Sequence, residues 1–384
     1  MGTKARSLVD HLESLPDPRS MRGQRHLLLD IILIAVLAVL CGADSWEDIH
    51  RFAKSQEAWL RTFLSLPNGV PSADTINRVF ILLDPKAFTE CFLSWVRDVR
   101  KKVPGDVVAL DGKTLRASLT AGKSALHMVS AWSSANHMVL GQCAVNEKSN
   151  EITAIPALLK VLDLKGCIVT IDAMGCQKGI AKGIVAKKAD YLLAVKGNQE
   201  RLHKAIKVCF ERLDANLAGT AHGSAESLES RRGRHERRRV TTLDAVEQLP
   251  EDILLEWPKL ETITRIHSES MRDGKPALEE RFYITTLPMT QAEAIGSAAR
   301  HHWGIENKLH WVLDVAFRED ANRTRKGSGP ECSAVLRHIV LNLLRQDPNP
   351  MGSIKFRRMQ AAMSPDYRMA ALLGFPHYGE TTSI

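Results

Sequence analysis

No Cys-x-x-Cys pair occurs anywhere in this 384-residue chain. Its seven cysteines (Cys41, Cys91, Cys143, Cys167, Cys176, Cys209 and Cys332) are scattered and odd in number. That pattern excludes a disulfide scaffold and a cysteine-rich zinc site, and suits reduced thiols in a cytosol. Long apolar runs are missing as well. The longest, Leu27 to Cys41, is interrupted by Asp30, and what remains is shorter than the ~20 residues a bilayer crossing requires. It reads as a buried helix. It also starts too far from the N-terminus, and lacks the cleavage pattern, for a signal peptide. No internal repeat is visible. The expected location is therefore cytoplasmic.

What is present is ordinary for a folded protein: 44% hydrophobic and 25% charged residues, in a chain long enough for two or three domains. The charge is unbalanced. Lys and Arg number 52 against 44 Asp and Glu, for a net charge of +8 and a pI of about 9.1. Such a balance favours polyanionic partners.

Two aspartates each end an apolar run, in Val107-Val-Ala-Leu-Asp111-Gly-Lys and Ile168-Val-Thr-Ile-Asp172-Ala. Short β-rich runs that stop at an acid place it at a strand's C-terminal end, beside the crevice where α/β sheets bind ligands. A third carboxylate, Glu306, lies in the helical stretch Trp303-Gly-Ile-Glu-Asn-Lys-Leu-His-Trp311. At about 100° per residue, Ile305, Leu309, Val312, Leu313 and Ala316 share one buried face and Glu306 sits at its rim. Asn307, Trp303 and Asp314 point further out. Singly, each acid has a plainer reading: Asp111-Gly112 is a turn dipeptide, Asp172 a helix cap, Glu306 a solvated side chain. Asp314, Glu319 and Asp320 are rival third acids. Together, Asp111, Asp172 and Glu306 could hold hard divalent cations against a phosphate. His301, His302 and His310 lack the His-x-x-x-His spacing of a zinc site.

Residues 1–100 read as an all-helical domain, with helices over Leu27–Cys41, Ser45–Leu64, from Ser72 to a stop at Pro85, and Phe88–Val99. The helix entered at Ser72 carries Asn77 and Arg78 and could lie in a DNA groove, although ordinary helix packing explains it equally. From residue 101 to 214 the texture becomes α/β. Strands are expected at Val107–Leu110, Leu126–Ser133, Met138–Val145, Cys167–Ile171 and Tyr191–Val195. Helices are expected at Pro156–Leu162, Cys176–Lys188 and Glu200–Leu213. Three strands, helix, strand, helix, strand is the order of a ribonuclease-H-like fold, with its first acid on strand one and its second after strand four; other α/β layouts share that order. Residues 215–290 read as a β-rich insertion with strands at Val240–Thr242, Leu260–His267 and Arg281–Thr286. Helices return over 291–350, at Thr290–Arg300, Trp303–Ala316 and Glu331–Arg345, and 351–384 form a basic helical tail.

The insertion opens with the densest charge run, Ser230-Arg-Arg-Gly-Arg-His-Glu-Arg-Arg-Arg239. Such runs are usually solvated, yet Arg231, Arg232, Arg234, Arg237, Arg238 and Arg239 are also candidates for phosphate contacts. Lys113, Lys196, Asn198 and Gln199, just beyond strands one and five, are candidates for the same role.

Long motifs in this chain resemble the bacterial insertion-sequence transposases, in the group that includes the H-repeat-associated proteins. They are Asp111-Gly-Lys-Thr-Leu-Arg, His127-Met-Val-Ser-Ala-Trp, Glu147-Lys-Ser-Asn-Glu-Ile, Ile171-Asp-Ala-Met-Gly-Cys-Gln, Ala189-Asp-Tyr-Leu-Leu-Ala-Val-Lys-Gly-Asn-Gln, and the stretch from His302 to Asp320. Pro16-Asp-Pro-Arg, Arg22-Gly-Gln-Arg-His and Pro71-Ser-Ala-Asp-Thr-Ile-Asn-Arg-Val-Phe are similar to that family's leading domain. The resemblance runs in order from about residue 10 past 340. It implies an α/β fold with a ribonuclease-H-like catalytic core, a β insertion before the glutamate helix, and a DDE triad on Asp111, Asp172 and Glu306. It implies two Mg²⁺ or Mn²⁺ ions, which Asp111 would be expected to share with Asp172 on one side and Glu306 on the other, and double-stranded DNA partners: inverted-repeat element ends and target DNA. A homodimer on DNA and nucleoid association when bound follow from the same resemblance. The competing readings are a metal-dependent nuclease of the same fold and a DNA-binding relic without catalysis. Three carboxylates held together should leave the metal-free site poorly ordered or partly protonated. One departure stands out. Related transposases often carry Tyr, Arg and Lys seven and four residues before the glutamate and seven after it; here those positions are Ala299, His302 and Leu313. Arg300, Lys308 and Arg323 are the candidates to replace them as phosphate contacts.

Overall fold

The computed structural model describes residues 6–119, 125–145, 151–215, 220–231, 234–272 and 275–375. Arg232, Glu147 to Asn150 and residues 376–384 of the tail lie outside these, as do the side chains of Arg231 and Arg234.

The chain begins with helices: α1 (Leu8–Leu12), α2 (Leu28–Leu40), α3 (Trp46–Ser55), α4 (Glu57–Leu60), α5 (Ala73–Leu82) and α6 (Pro85–Val99). Their starts follow local chemistry. Ser45 caps α3 in a capping box with Asp48, Ser72 caps α5, and Asp84 caps α6 with Pro85 in its first turn. Every residue of α2 from Asp30 to Leu40 is buried. The one polar interruption is satisfied, because the Asp30 carboxylate accepts the Leu66 N–H at 2.9 Å. Among the described residues no helix is long and apolar enough to cross a membrane.

The α/β region runs β1 (Val107–Leu115), β2 (Leu126–Ser133), β3 (Met138–Val145), α7 (Glu151–Val161), β4 (Ile168–Ile171), α8 (Lys178–Ala186), β5 (Asp190–Val195) and α9 (Glu200–Asp214). Next come β6 (Gly223–Arg231), β7 (Arg234–Asp244), α10 (Ala245–Gln248), α11 (Glu251–Leu254), β8 (Thr262–Arg272) and β9 (Lys275–Thr285). All the strands join one mixed sheet in the order β3-β2-β1-β4-β5-β9-β8-β7-β6. β1 is parallel to β4 and β4 to β5, while the β1-β2-β3 meander and the β6–β9 ribbon are antiparallel. The β-rich segment is therefore an extension of the central sheet, attached where Phe282–Thr285 of β9 pairs with Leu192–Val195 of β5.

Two elements depart from the sequence reading here. β6 was not expected, and the arginine run lies largely within β7. β6 is mostly small and polar and the first half of β7 is a run of charge, so the period-2 hydrophobic signal is absent from both; cross-strand pairs such as Glu226 opposite Arg239 stabilise them instead.

The last helices are α12 (Ala292–His302), α13 (Trp311–Phe317), α14 (Gly329–Arg345), α15 (Ile354–Met363) and α16 (Pro365–Leu372). α12 crosses β1, β4 and the ribbon strands β6 and β7. α14 is buried from Cys332 to Leu344 and packs against α2, α5, α6 and β3, joining the N-terminal helices to the sheet. Asn342 bonds the Val139 N–H at 2.9 Å and its carbonyl at 2.8 Å, covering part of the sheet edge at β3.

Candidate active site

β1 and β4 pair in parallel register as far as Leu110 opposite Ile171. The next residue on each chain is Asp111 and Asp172, so the two acids leave adjacent strands at the same level. The sheet opens between them: β4 ends at Ile171, while β1 continues to Leu115, paired with β2 alone. The turn reading of Asp111-Gly112 therefore does not hold; both residues lie within a strand. Asp172 is half-buried and closes an Asx turn, Oδ1 accepting the N–H groups of Met174 (3.1 Å) and Gly175 (3.2 Å).

Glu306 comes from a π-helical turn, Ile305–His310, between α12 and α13, in which the Trp311 N–H reaches back to the Glu306 carbonyl. Wider turns of this kind are rare and concentrate at functional sites. Ile305, Leu309, Val312, Leu313 and Ala316 are buried, as their spacing predicts. Glu306 itself is exposed.

Electrostatics link the three acids. Burial and the charges of Glu151, Asp172 and Glu306 push the Asp111 carboxyl up from 3.8 to about 7, so the metal-free site is partly protonated near neutrality. His310 Nδ1 lies 3.4 Å from Asp111 Oδ2. Burial and the nearby Lys113 charge push His310 down to about 4, leaving it neutral and unable to offset the acid. Half-buried His302 lies 3.0 Å from Thr170 Oγ1 through its Nδ1, and desolvation likewise pushes it down to about 4.

The donor set suits a hard divalent cation, being all carboxylate oxygen. Its gathering is incomplete: among the described residues, no three His, Cys, Asp or Glu side chains converge closely enough to hold an ion.

The expected phosphate contacts divide by what else they touch. Lys113 is engaged by Asp314 and by Glu319 (2.9 Å) and is largely buried, and Glu319 is also approached by Arg337. The rival acids Asp314 and Glu319 are thus counter-ions to Lys113. The Asn198 amide donates to the Ala173 carbonyl and that of Gln199 to the Cys176 carbonyl (2.9 Å), bracing the loop that carries Asp172. Arg300 makes a bidentate pair with Glu229, at 3.1 and 3.0 Å, and Arg238 reaches the same carboxylate, together holding Glu229 down at about 2. Arg237 pairs with Glu226, and Arg239 approaches it at 4.0 Å. Lys196, Lys308 and Arg323 are exposed. The three departures near the glutamate are explained by packing: Ala299 and Leu313 are core residues, and His302 is bonded to β4.

Sequence reasoning missed Glu151, the first residue of α7. The expected helix start at Pro156 placed it in a loop, because proline favours a helix's first turn. In the structure Pro156 lies inside α7 and Glu151 reaches β1.

Comparison with known proteins agrees with this arrangement. The family description "Transposase DDE domain" matches residues 103–343, and "DDE_Tnp_1-associated" matches residues 9–96. The chain is 39% identical over 377 residues to the H repeat-associated protein YhhI of Escherichia coli (strain K12), a transposase by name, covering 96% of this chain and 98% of that one. It is 41% identical over 370 residues to YncI of Escherichia coli O157:H7, also a transposase by name, covering 94% and 93%. The solved piggyBac transposase synaptic complex with hairpin DNA aligns with 94% of this chain and 76% of its own at 9% identity and a TM-score of 0.42, a likeness too slight to argue from. Asp111, Asp172, the glutamate turn and nearly all of the leading helices fall within the two matched regions: the chain belongs to the DDE transposase family.

Proposed function

We propose that this protein is an active transposase that cuts insertion-element ends and joins their 3′-OH strands to target DNA, with Asp111, Asp172 and Glu306 as its acidic triad. The observation that carries the reading is geometric: β1 and β4 pair in parallel as far as Leu110 and Ile171, so Asp111 and Asp172 leave adjacent strands at one level, and the charge of Glu306 from the π-helical turn bears on Asp111. The strand order β3-β2-β1-β4-β5, with acids on β1 and after β4, supports a ribonuclease-H-like core.

Phosphodiester transfer needs positioning and charge neutralisation more than covalent chemistry from the protein. Mg²⁺ or Mn²⁺, two ions in the full site, would supply an activated water or 3′-OH and stabilisation of the leaving oxygen. Asp111, Asp172 and Glu306 would hold them, drawing together as the repulsion that keeps Asp111 part-protonated is neutralised. Asn198 and Gln199 keep the Asp172 loop in place from below. Lys196, Lys308 and Arg323 offer exposed charge for the backbone of double-stranded DNA. Arg237 to Arg239, though largely paired with carboxylates, keep β7 basic for the same backbone; Arg231, Arg232 and Arg234 are proposed for that role from their place in the sequence alone. A homodimer bringing two inverted-repeat ends together completes the scheme.

The incomplete convergence of the acids favours one rival, a DNA-binding relic without catalysis. Cleavage of labelled DNA carrying the flanking element ends, with Mg²⁺ or Mn²⁺, separates the two. The expected result is metal-dependent cutting at the ends, lost in Asp111→Ala, Asp172→Ala and Glu306→Ala while DNA binding persists. Tight binding without cutting by the wild type would establish the relic. Cutting without joining in a strand-transfer assay would reduce the protein to a nuclease.

A further inference from the structure

His302, Glu306, His310 and Asp314 recur at four-residue intervals along the helical stretch that carries the third acid. Apart from Glu306, each of them meets the sheet. His302 Nδ1 lies 3.0 Å from Thr170 Oγ1 on β4, the strand that leads to Asp172. His310 Nδ1 lies 3.4 Å from Asp111 Oδ2, and Asp314 holds the Lys113 ammonium, both on β1. Thr170 pairs with Ala109, so strand alternation puts Thr170, Asp111 and Lys113 on one face of the sheet. The spacings agree. Four helical residues rise about 6 Å and two strand residues about 6.6 Å, so His310 and Asp314 step along Asp111 and Lys113 in register. The π-helical turn keeps the stripe straight. In an α-helix four residues overrun a full turn by about 40°, and the wider turn at Ile305–His310 takes part of that back. Glu306 is thereby bracketed: one contact falls four residues before it, on β4, and another four residues after it, on Asp111. The His310 ring shows that the contact has a cost. Its Nε2 is buried without a hydrogen-bond partner among the described residues, a loss an apolar side chain would avoid.

We propose that His302 and His310 are positioning residues for Glu306, their Nδ1 atoms tying the glutamate helix to the two aspartate strands and so setting where its carboxylate stands relative to Asp111 and Asp172. The proposal deepens the triad reading above and rests on it for its effect on cutting. Packing alone makes the opposite prediction. Glutamine is closer than asparagine to histidine in volume, whereas the asparagine amide falls near the place of Nδ1 and the glutamine amide near that of Nε2.

The test uses the full-length protein and the variants His302→Asn, His302→Gln, His310→Asn and His310→Gln. Cutting of labelled end DNA in Mg²⁺ is measured beside DNA affinity in chelator and hydrogen–deuterium exchange of residues 303–316 in the metal-free protein. The Asn variants are expected to keep most of the wild-type rate and protection. The Gln variants are expected to cut about 10²-fold more slowly, with unchanged DNA affinity and faster exchange across the glutamate turn. Where wild type cuts, equal rates for Asn and Gln, or a faster Gln variant, overturn the proposal even if exchange differs. Where wild type does not cut, the transposase reading has failed by itself. The exchange then decides the tie: faster exchange in Gln than in Asn sustains it, and equal exchange overturns it.

Discussion

Asp111 is a carboxylate whose ordinary proton affinity has been changed by its setting, and its pH behaviour has a definite sign. Its folded pKa, about 7, lies above the 3.8 of the unfolded chain. Between those values the folded protein binds the extra proton, so this residue makes the metal-free protein less stable as pH rises from about 4 to about 7. A shift of this size corresponds to about 4 kcal/mol at most. Without metal, Asp111→Asn should therefore melt higher than wild type, by a margin that grows from pH 4 to pH 7.5. Saturating Mg²⁺ should shrink or reverse it, since only wild type retains the ligand. Melting curves across that pH range check both halves; a margin independent of pH would remove Asp111 from the acidic cluster. The thiols are quieter. Burial pushes Cys176 and Cys332 up to about 12 and Cys41 to about 11, and all seven cysteines are free, so none has the low-pKa setting of a reactive thiol.

Elements decide which of these residues meet. β1 outlasts β4, and the sheet splits where the two aspartates leave it. The loop after β4 is held by two amides from beyond β5, which gives Asn198 a role different from the phosphate contact its position suggested. Asn198→Ala should cut DNA more slowly while leaving DNA affinity and its salt dependence unchanged. Lys196→Ala should weaken DNA binding across sequences and lower the salt slope by about 1. Measuring affinity against salt for both variants distinguishes bracing from backbone contact; a reduced slope in Asn198→Ala would return that residue to the DNA. The ribbon of β6 and β7 shows why a run of arginines is a poor guide to free charge. Arg238 and Arg300 share Glu229, and Arg237 holds Glu226, so much of the run's charge is already partnered.

At the scale of the molecule, the helices at the two ends of the chain are tied to the sheet through shared packing. The expected basic tail over 351–384 is, as far as residue 375, two packed helices whose basic residues partly turn inward. Arg358 of α15 is buried and donates to the carbonyls of Val39 (2.8 Å), Ala43 (3.3 Å) and Ala316, with Asp44 at 3.4 Å. It thereby satisfies the end of α2 and the end of α13, where carbonyls otherwise lack partners. Arg358→Met should cost ~3 kcal/mol or more, because it leaves several buried acceptors unsatisfied. Urea unfolding of the two proteins checks this; a loss below 1 kcal/mol would mean the C-terminal helices contribute little to holding the fold together.

The sequence by itself determined the element types and most of their order. Apolar runs mark β1, β4, β5 and the buried helix α2, and the cap at Ser72 marks where α5 starts; the start of α6 is misread, because Pro85 opens that helix behind the Asp84 cap and does not end the one before it. It also determined that Asp111 and Asp172 end equivalent runs, because a run of β-branched residues closed by an acid is a local signal. Tertiary structure decided what lies across space from each acid. Glu151 was hidden because its partners are Gly112 and His127, far along the chain, and because Pro156 looked like a helix start. The π-helical turn was hidden because it breaks the 100° step on which any helical-angle reading depends. Lys113, Asn198, Arg300 and Arg358 were unassignable from sequence for one physical reason: a charged or amide side chain is free or engaged according to the groups that folding brings to it, and those groups are remote in sequence.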